Sequence, residues 1–283
     1  MKMENIFNYS GYANKADLEN QSYKQLFWKL ENEQKHFLDN TVDVLQSSSY
    51  PWPVDALHNW SRIWEYPYVY YWLNKLNNEN NKSKITIIDY GSGITFFPFL
   101  LAKEGYNIRC LDVDERYIPI FNKCSSKLNN IKNKINLEII KNKIQLSDNS
   151  IDIVYSVSVL EHIDNYEMTL NEISRVLKKN GILILTMDVD HTGSLEIGIE
   201  KFNKVRSYLK AHYKFEILEN FLHPLEALNS INSPFSQFKK FTNIDRFIFS
   251  IKQDILKPIF KKKSLLSIYP YHLGIYAAVL RKI

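Results

Sequence analysis

The feature that most constrains this chain is Ile87-Ile88-Asp89-Tyr90-Gly91-Ser92-Gly93-Ile94-Thr95, a β-branched run that ends on an acid and passes through two glycines into the apolar stretch Phe96–Lys103. Glycines at a strand-to-helix junction let the backbone turn sharply and come close to a ligand. Such a turn belongs to an open α/β sheet, and the residues around it keep that rhythm. β-Branched runs at Ile85–Asp89, Asn107–Leu111, Asn136–Ile140, Ile151–Ser156 and Ile182–Met187 alternate with helical patterns, as in βαβ units. One helix carries Tyr117, Ile120, Phe121, Cys124 and Leu128 on a single stripe. Another opens at Asp164, with Glu167 three residues on, and closes at Lys178-Lys179 and Gly181. Two further strands are expected at Tyr213–Leu218 and His272–Leu280.

A glycine turn alone does not choose a ligand. Pyrophosphate-binding turns carry a third glycine, which here would fall at Phe96. Asp89 would oppose a pyrophosphate but suits a cationic sulfonium or ammonium group. Asp112 closes the next strand about twenty residues on, where a carboxylate can accept hydrogen bonds from ribose hydroxyls. Helix capping is the competing role for Asp89 and Asp112, and the favoured one for Asp114. Asp148 and Asp152 are expected to shape the turn into a strand.

Asp-Tyr-Gly-Ser-Gly at 89–93, Leu-Asp-Val-Asp at 111–114, the run Leu146–Ser156, Val-Leu-Glu-His-Ile at 159–163 and Arg-Val-Leu-Lys-Lys-Asn-Gly at 175–181 occur in order. In that order and spacing they resemble the class I S-adenosylmethionine-dependent methyltransferases, especially their small-molecule branch, over about Ile85 to Asp188. The resemblance implies a Rossmann-like α/β fold with a mostly parallel seven-stranded sheet and an antiparallel last strand. S-adenosyl-L-methionine is the implied cofactor. Gly91 and Gly93 would approach its amino-acid part, with Asp89 beneath it. Asp112, with Val113 beside it, would bind the ribose, and Ser156 would border the methionine moiety. Relatives often have an acid near Asn142 for the adenine amine; this chain has Lys141-Asn142-Lys143, which leaves the Asn142 amide oxygen as the nominee. Arg62, Trp64, Glu65 and Tyr66 resemble an N-terminal segment that covers the cofactor in some relatives, and Glu65 and Tyr66 are the candidate contacts.

A sulfonium already activates its methyl group, so the protein's task is to position the acceptor and exclude water. A hydroxyl acceptor also needs a general base. His162 is the leading candidate, with a structural histidine as the competing reading. Asp188, Asp190 and His191 form a second candidate catalytic cluster. A metal there is not expected, because Asp-x-Asp-His is common in loops.

The remaining sequence divides the chain. Residues 1–83 read as a helical cap or lid, 84–220 as the methyltransferase core, 221–271 as a basic helical insertion on the substrate side, and 272–283 as the final core strand. Leu26, Phe27, Leu30, Phe37, Leu38 and Leu45 give the cap a helical stripe, which Tyr-Pro-Trp-Pro at 50–53 must break. Between Phe221 and His272 eight lysines and arginines face three acids, so this segment carries the whole net charge of +5. Interleaved with Phe235, Phe238, Phe241, Phe247, Phe249 and Phe260, those charges suit an anionic or nucleotide-linked small molecule. A membrane surface is an open alternative, as is a plain solvated face; nucleic acid is disfavoured, since no RNA-binding module accompanies the charges.

No apolar run reaches the roughly 18 residues of a membrane span, and the polar start is not that of a signal peptide. Cys110 and Cys124 lie in no metal or redox spacing, which with the polar start points to the cytoplasm. The expected activity is O-methylation of a polar small molecule, a sugar or nucleotide-linked sugar hydroxyl. N-methylation of a small amine or phosphorylated metabolite is the alternative, as is a cofactor-binding module without catalysis.

Overall fold

Alternation between apolar and turn-forming residues produces a wide sheet with helices on both faces. The computed structural model describes residues 6–77, 79–128, 131, 133–141, 143–190, 198–217, 219–220, 227–236 and 273–283. Asn142, His191 and the basic insertion, apart from 227–236, lie outside the described residues.

The strands are β1 (Ser10–Tyr12), β2 (Thr86–Tyr90), β3 (Asn107–Asp112), β4 (Ile135–Ile139), β5 (Ile151–Val157), β6 (Leu177–Asp190), β7 (Tyr213–Phe215), β8 (Glu219–Asn220) and β9 (Leu273–Lys282). Their order is β4-β3-β2-β5-β6-β9-β1-β8, with β7 also paired to β9. Strands β4, β3, β2, β5 and β6 run parallel, and β9 is antiparallel to β6. The sheet has nine strands among the described residues where seven are expected. The excess comes from β1 and β8, which extend the sheet beyond β9.

The helices are α1 (Gln21–Gln46), α2 (Arg62–Leu76), α3 (Phe96–Lys103), α4 (Tyr117–Lys127), α5 (Tyr166–Val176) and α6 (Ile199–His212). Successive strand residues face opposite sides, so Ile87 and Tyr155 join the core with α1 to α4, while Ile88 and Val154 join the one with α5 and α6. Asn165, one residue after the expected Asp164, caps α5 by accepting from Met168 N at 3.1 Å. The same helix stops at Val176, short of Lys178, because Leu177 turns extended and pairs beside Ile151.

Helix α2 is buried on every side from Ile63 to Leu73, between the sheet and α1. Pro67 lies within it and cannot donate to the Ile63 carbonyl one turn back. Tyr23 from α1 supplies the missing donor, its hydroxyl lying 2.8 Å from Ile63 O. The polar tips of Tyr68 and Trp72 donate to the carbonyls of Tyr9 and Phe7 at 2.9 and 3.0 Å. Those bonds tie residues 7–9 to α2. No helix among the described residues is long and apolar enough to cross a membrane.

Candidate active site

The carboxyl ends of β2, β3 and β5 surround a cavity of about 540 Å³, where an open α/β sheet presents its loops. Gly91 and Gly93 hold φ of +73° and +51°, the left-handed region that favours glycine. Space adds to that constraint. A Cβ on Gly91 would come within 2.4 Å of Val159, and one on Gly93 within 2.8 Å of the Tyr50 hydroxyl. The amides of Gly91 and Ser92 donate to Leu111 O at 2.8 and 3.1 Å, which fixes the turn against β3.

Asp112 lies at the end of β3 and lines the cavity. Its Oδ2 accepts from Gly93 N at 2.8 Å, and its Oδ1 from Val113 N at 2.7 Å and Asp114 N at 3.3 Å. One carboxylate thus ties the β2–α3 and β3–α4 turns together. Opposite it, the segment between α1 and α2 closes the cavity. Tyr50 accepts from Ile94 N at 2.8 Å, and Trp52 Nε1 donates to the Tyr117 hydroxyl at 3.0 Å.

Of the residues expected from sequence, Gly91, Gly93, Asp112, Val113, Tyr66 and His162 line this cavity. Asp89, Ser156, Glu65, Asp188 and Asp190 do not. Asp89 is buried behind the glycine turn, and the Ser156 hydroxyl donates to Tyr90 O at 3.1 Å. Glu65 is fully buried and accepts from Arg62, from Ser158 Oγ at 2.8 Å and from Thr186 Oγ1 at 2.5 Å. Asp188 and Asp190 lie in the closing residues of β6, with Asp190 fully buried. No group of three or more metal-ligating side chains gathers among the described residues.

Sequence reading passed over Tyr50, Trp52, Ser158 and Glu161. The Tyr-Pro-Trp-Pro run signalled a helix break, and only the sheet turns that break into a cavity wall. His162 sits on a single 3-10 turn, Leu160–His162, which is held from three sides. Ser158, just before it, takes a φ of +49° while bonded to Arg62 and Glu65 of α2. Glu161 Oε1 accepts from Asp188 N at 3.0 Å. Lys201 of α6 donates to the carbonyls of Glu161 and Ile163, at 3.3 and 2.9 Å.

Burial pushes Asp89 up to about 8, with Tyr155 opposing and the Asp112 charge adding to the rise. Burial also raises Glu161, against the Asp188 amide, with the Glu65 charge adding. Arg62 stays charged: burial works against the cation, and Glu65 more than restores it. The raised acids predict a pH dependence of stability. The unfolded chain releases both protons near pH 4, whereas the folded chain keeps them, so the stability they give is complete below about pH 4. It is lost as pH rises through the folded value, about 8 for Asp89. Each group then contributes a slope of ~1.4 kcal/mol per pH unit across that window. Melting of ligand-free protein between pH 5.5 and 8.5 is expected to show the decline, and Asp89→Asn to flatten it. An unchanged slope in Asp89→Asn would refute the assignment.

The site fits an adenosine-bearing cationic ligand. A glycine turn admits no Cβ, a carboxylate at a strand end keeps acceptor capacity, and aromatic and apolar residues supply the walls. Residues 88–185 match the family model described as "Methyltransferase domain". The tRNA U34 carboxymethyltransferase of Ruthia magnifica subsp. Calyptogena magnifica is 32% identical over 126 residues, 44% of this chain and 36% of that protein. The ubiquinone biosynthesis O-methyltransferase of Rickettsia typhi is 26% identical over 109 residues, 38% of this chain and 42% of its own. The chain thus spans less than half the length of these curated relatives. Among solved structures, the [4+2]-cyclase SpnF aligns at a TM-score of 0.51 and 16% identity, covering 97% of this chain and 98% of that one. A putative sarcosine dimethylglycine methyltransferase from Galdieria sulphuraria aligns at 0.50 and 18% identity, covering 76% and 84%. These two likenesses establish the fold. With the motif order and the sheet order, the match places a methyltransferase domain at residues 88–185, similar to the class I S-adenosylmethionine-dependent methyltransferases.

Proposed function

We propose that the protein transfers the methyl group of S-adenosylmethionine to a hydroxyl of a polar small molecule, a sugar or nucleotide-linked sugar. The observation that carries this reading is His162, an imidazole on the cavity wall at the end of a turn anchored by Lys201, Glu161 and Ser158. A hydroxyl acceptor needs a base in that place, and an unprotonated amine does not.

When bound, the cofactor supplies an electrophilic methyl group. Gly91 and Gly93 would give its amino-acid arm close access to the backbone, and Asp112 would accept hydrogen bonds from the ribose. Val113, Tyr66 and Asn142 would flank the cofactor, with Asp89 and Ser156 supporting the turn from behind. His162 would take the acceptor's proton at an imidazole nitrogen. Asp188, whose amide donates to Glu161 beside His162, and Asp190 would support the acceptor side from behind the cavity wall, and the net positive charge of the sequence 221–271 would suit an anionic or nucleotide-linked acceptor. The N-terminal segment, through Tyr50 and Trp52, would cover the cavity and exclude water.

The test incubates the protein with methyl-labelled cofactor and a panel of sugars and nucleotide sugars. Label is expected in an alkali-stable ether, and His162→Ala is expected to slow its formation ~100-fold or more while cofactor binding persists. Full turnover in His162→Ala overturns the base role, and label on nitrogen selects the amine alternative. The same fold in a [4+2]-cyclase favours one further reading, a cofactor-bound module without methyl transfer. Release of S-adenosylhomocysteine on turnover excludes that reading.

A further inference from the structure

The cavity wall between α1 and α2 has two firm ends. Tyr50 and Trp52 tie one end to Ile94 and Tyr117. At the other, Asn59 O accepts from Ile63 N at 3.2 Å, and Trp60 O from Ser233 Oγ at 2.8 Å. Between them Asp55 and Ala56 line the cavity. Among the described residues, the polar ties from this stretch to α1 run through Gln34 and His58. Gln34 donates to Asp55 Oδ1 at 2.7 Å and accepts from Leu57 N at 2.8 Å. His58 stands between two acids, with Nδ1 2.9 and 2.8 Å from the Asp55 oxygens and Nε2 2.9 Å from Glu31 Oε1. These two acids are the charged groups that face it among the described residues. Phe27 of α1 and Phe235 meet the imidazole edge to face, with centroids 6.1 and 4.9 Å away. A neutral imidazole donates from one nitrogen only, whereas an ionised carboxylate only accepts. Both contacts are therefore hydrogen bonds only while His58 is an imidazolium. Partial burial works against that cation, and the bonds to Glu31 and Asp55 more than offset it, so His58 holds its proton above the ordinary value of 6.5. When the proton leaves, Asp55 keeps Nδ1–H, because Gln34 and the His58 amide already fix that carboxylate. Nε2 then turns a lone pair on Glu31, which is 38% exposed and can swing into solvent.

We propose that the proton on His58 is a latch on the cavity: with it, the wall at 55–58 is clamped to Glu31 of α1; without it, Gln34 holds the wall alone and the wall opens more often. The sign follows from the bonds. The clamp is complete below the ordinary histidine value of 6.5 and is lost as pH rises through the raised value of His58. The cavity therefore stays closed on the acid side and opens on the alkaline side, whatever it binds.

Amide hydrogen exchange and imidazole NMR of the ligand-free full chain between pH 5.5 and 8.5 test this, with exchange corrected for its intrinsic pH dependence. Each opening of the wall breaks the bonds at Leu57 N and His58 N, so these two amides count openings. Their protection is expected to fall about fivefold relative to the amides of β2 and β5, the scale of a partly exposed ion pair. The fall should follow the titration of the ring resonance that His58→Gln removes. Strands β2 and β5 are the reference because the Asp89 proton lowers protection throughout the sheet. In Glu31→Gln the amide side chain can pair with either form of the imidazole. The relative fall should then vanish, and His58 should titrate closer to its ordinary value. His58→Gln has no proton to lose and should also keep the wall level with pH. Wall protection that stays level in wild type overturns the proposal, as does a fall that persists in Glu31→Gln. Should His58→Gln fail to fold, Glu31→Gln decides, since its side chain is part exposed and the ring resonance can then be assigned through its shift in that variant.

Discussion

Replacing Glu65 by alanine is expected to lower stability by roughly 3 kcal/mol, near the lower end of what breaking a buried ion pair costs. The carboxylate is fully buried and accepts from Arg62, Ser158 and Thr186, which belong to α2, the turn after β5, and β6. Alanine removes three bonds at once and leaves two hydroxyls and a cation to find other partners in a confined space. Partial exposure of Arg62 lets water relieve some of that cost, which is why the lower end applies. At roughly 2–4 °C per kcal/mol for a chain of this size, melting should fall by about 6–12 °C. Glu65→Gln keeps one acceptor oxygen for Ser158 and Thr186 and should lose less. Thermal melting and urea titration of the two variants measure this. A melting point for Glu65→Ala within about 2 °C of wild type would show that the carboxylate does not hold α2 to the sheet.

Glu65 also shows where sequence reading stops. Its neighbours in the chain, Arg62 and Tyr66, line the cavity, and proximity in sequence put Glu65 there with them. On a helix buried all round, sequence proximity cannot say which face meets the ligand. Helix α2 has no polar side to orient it, because Ile63 to Leu73 are all buried. The strands of the core were legible because their alternation is local: the run expected at Asn107–Leu111 differs from β3 by a single residue. The glycine turn was legible for the same reason. The sheet's far edge was not, since β1 and β8 are three and two residues long and pair only through contacts distant in the chain. Tyr50 and Trp52 were hidden likewise. A tyrosine that accepts from Ile94 N, 44 residues away, leaves no local pattern.

Asp112→Ala should weaken binding of S-adenosylhomocysteine by roughly 100-fold, and the reason lies in how few acceptors the carboxylate has to share. An ionised carboxylate offers about four lone-pair sites. Three backbone amides already use Asp112, two on Oδ1 and one on Oδ2, so Oδ2 keeps capacity for a ligand hydroxyl. Hydrogen bonds to a charged acceptor contribute about 1.5–3 kcal/mol each, and ~3 kcal/mol in all corresponds to the stated loss. Asparagine is not a mild substitute here. Its amide nitrogen would face either Gly93 N or Val113 N, donor against donor, so Asp112→Asn should lose affinity and shift the glycine turn as well. The stability cost of Asp112→Ala should be smaller than its binding cost, because Asp112 is only half-buried and water can satisfy the freed amides. Titration calorimetry beside thermal melting separates the two quantities. If melting falls steeply while affinity per folded molecule holds, Asp112 is a structural clasp between two turns and the ribose is bound elsewhere.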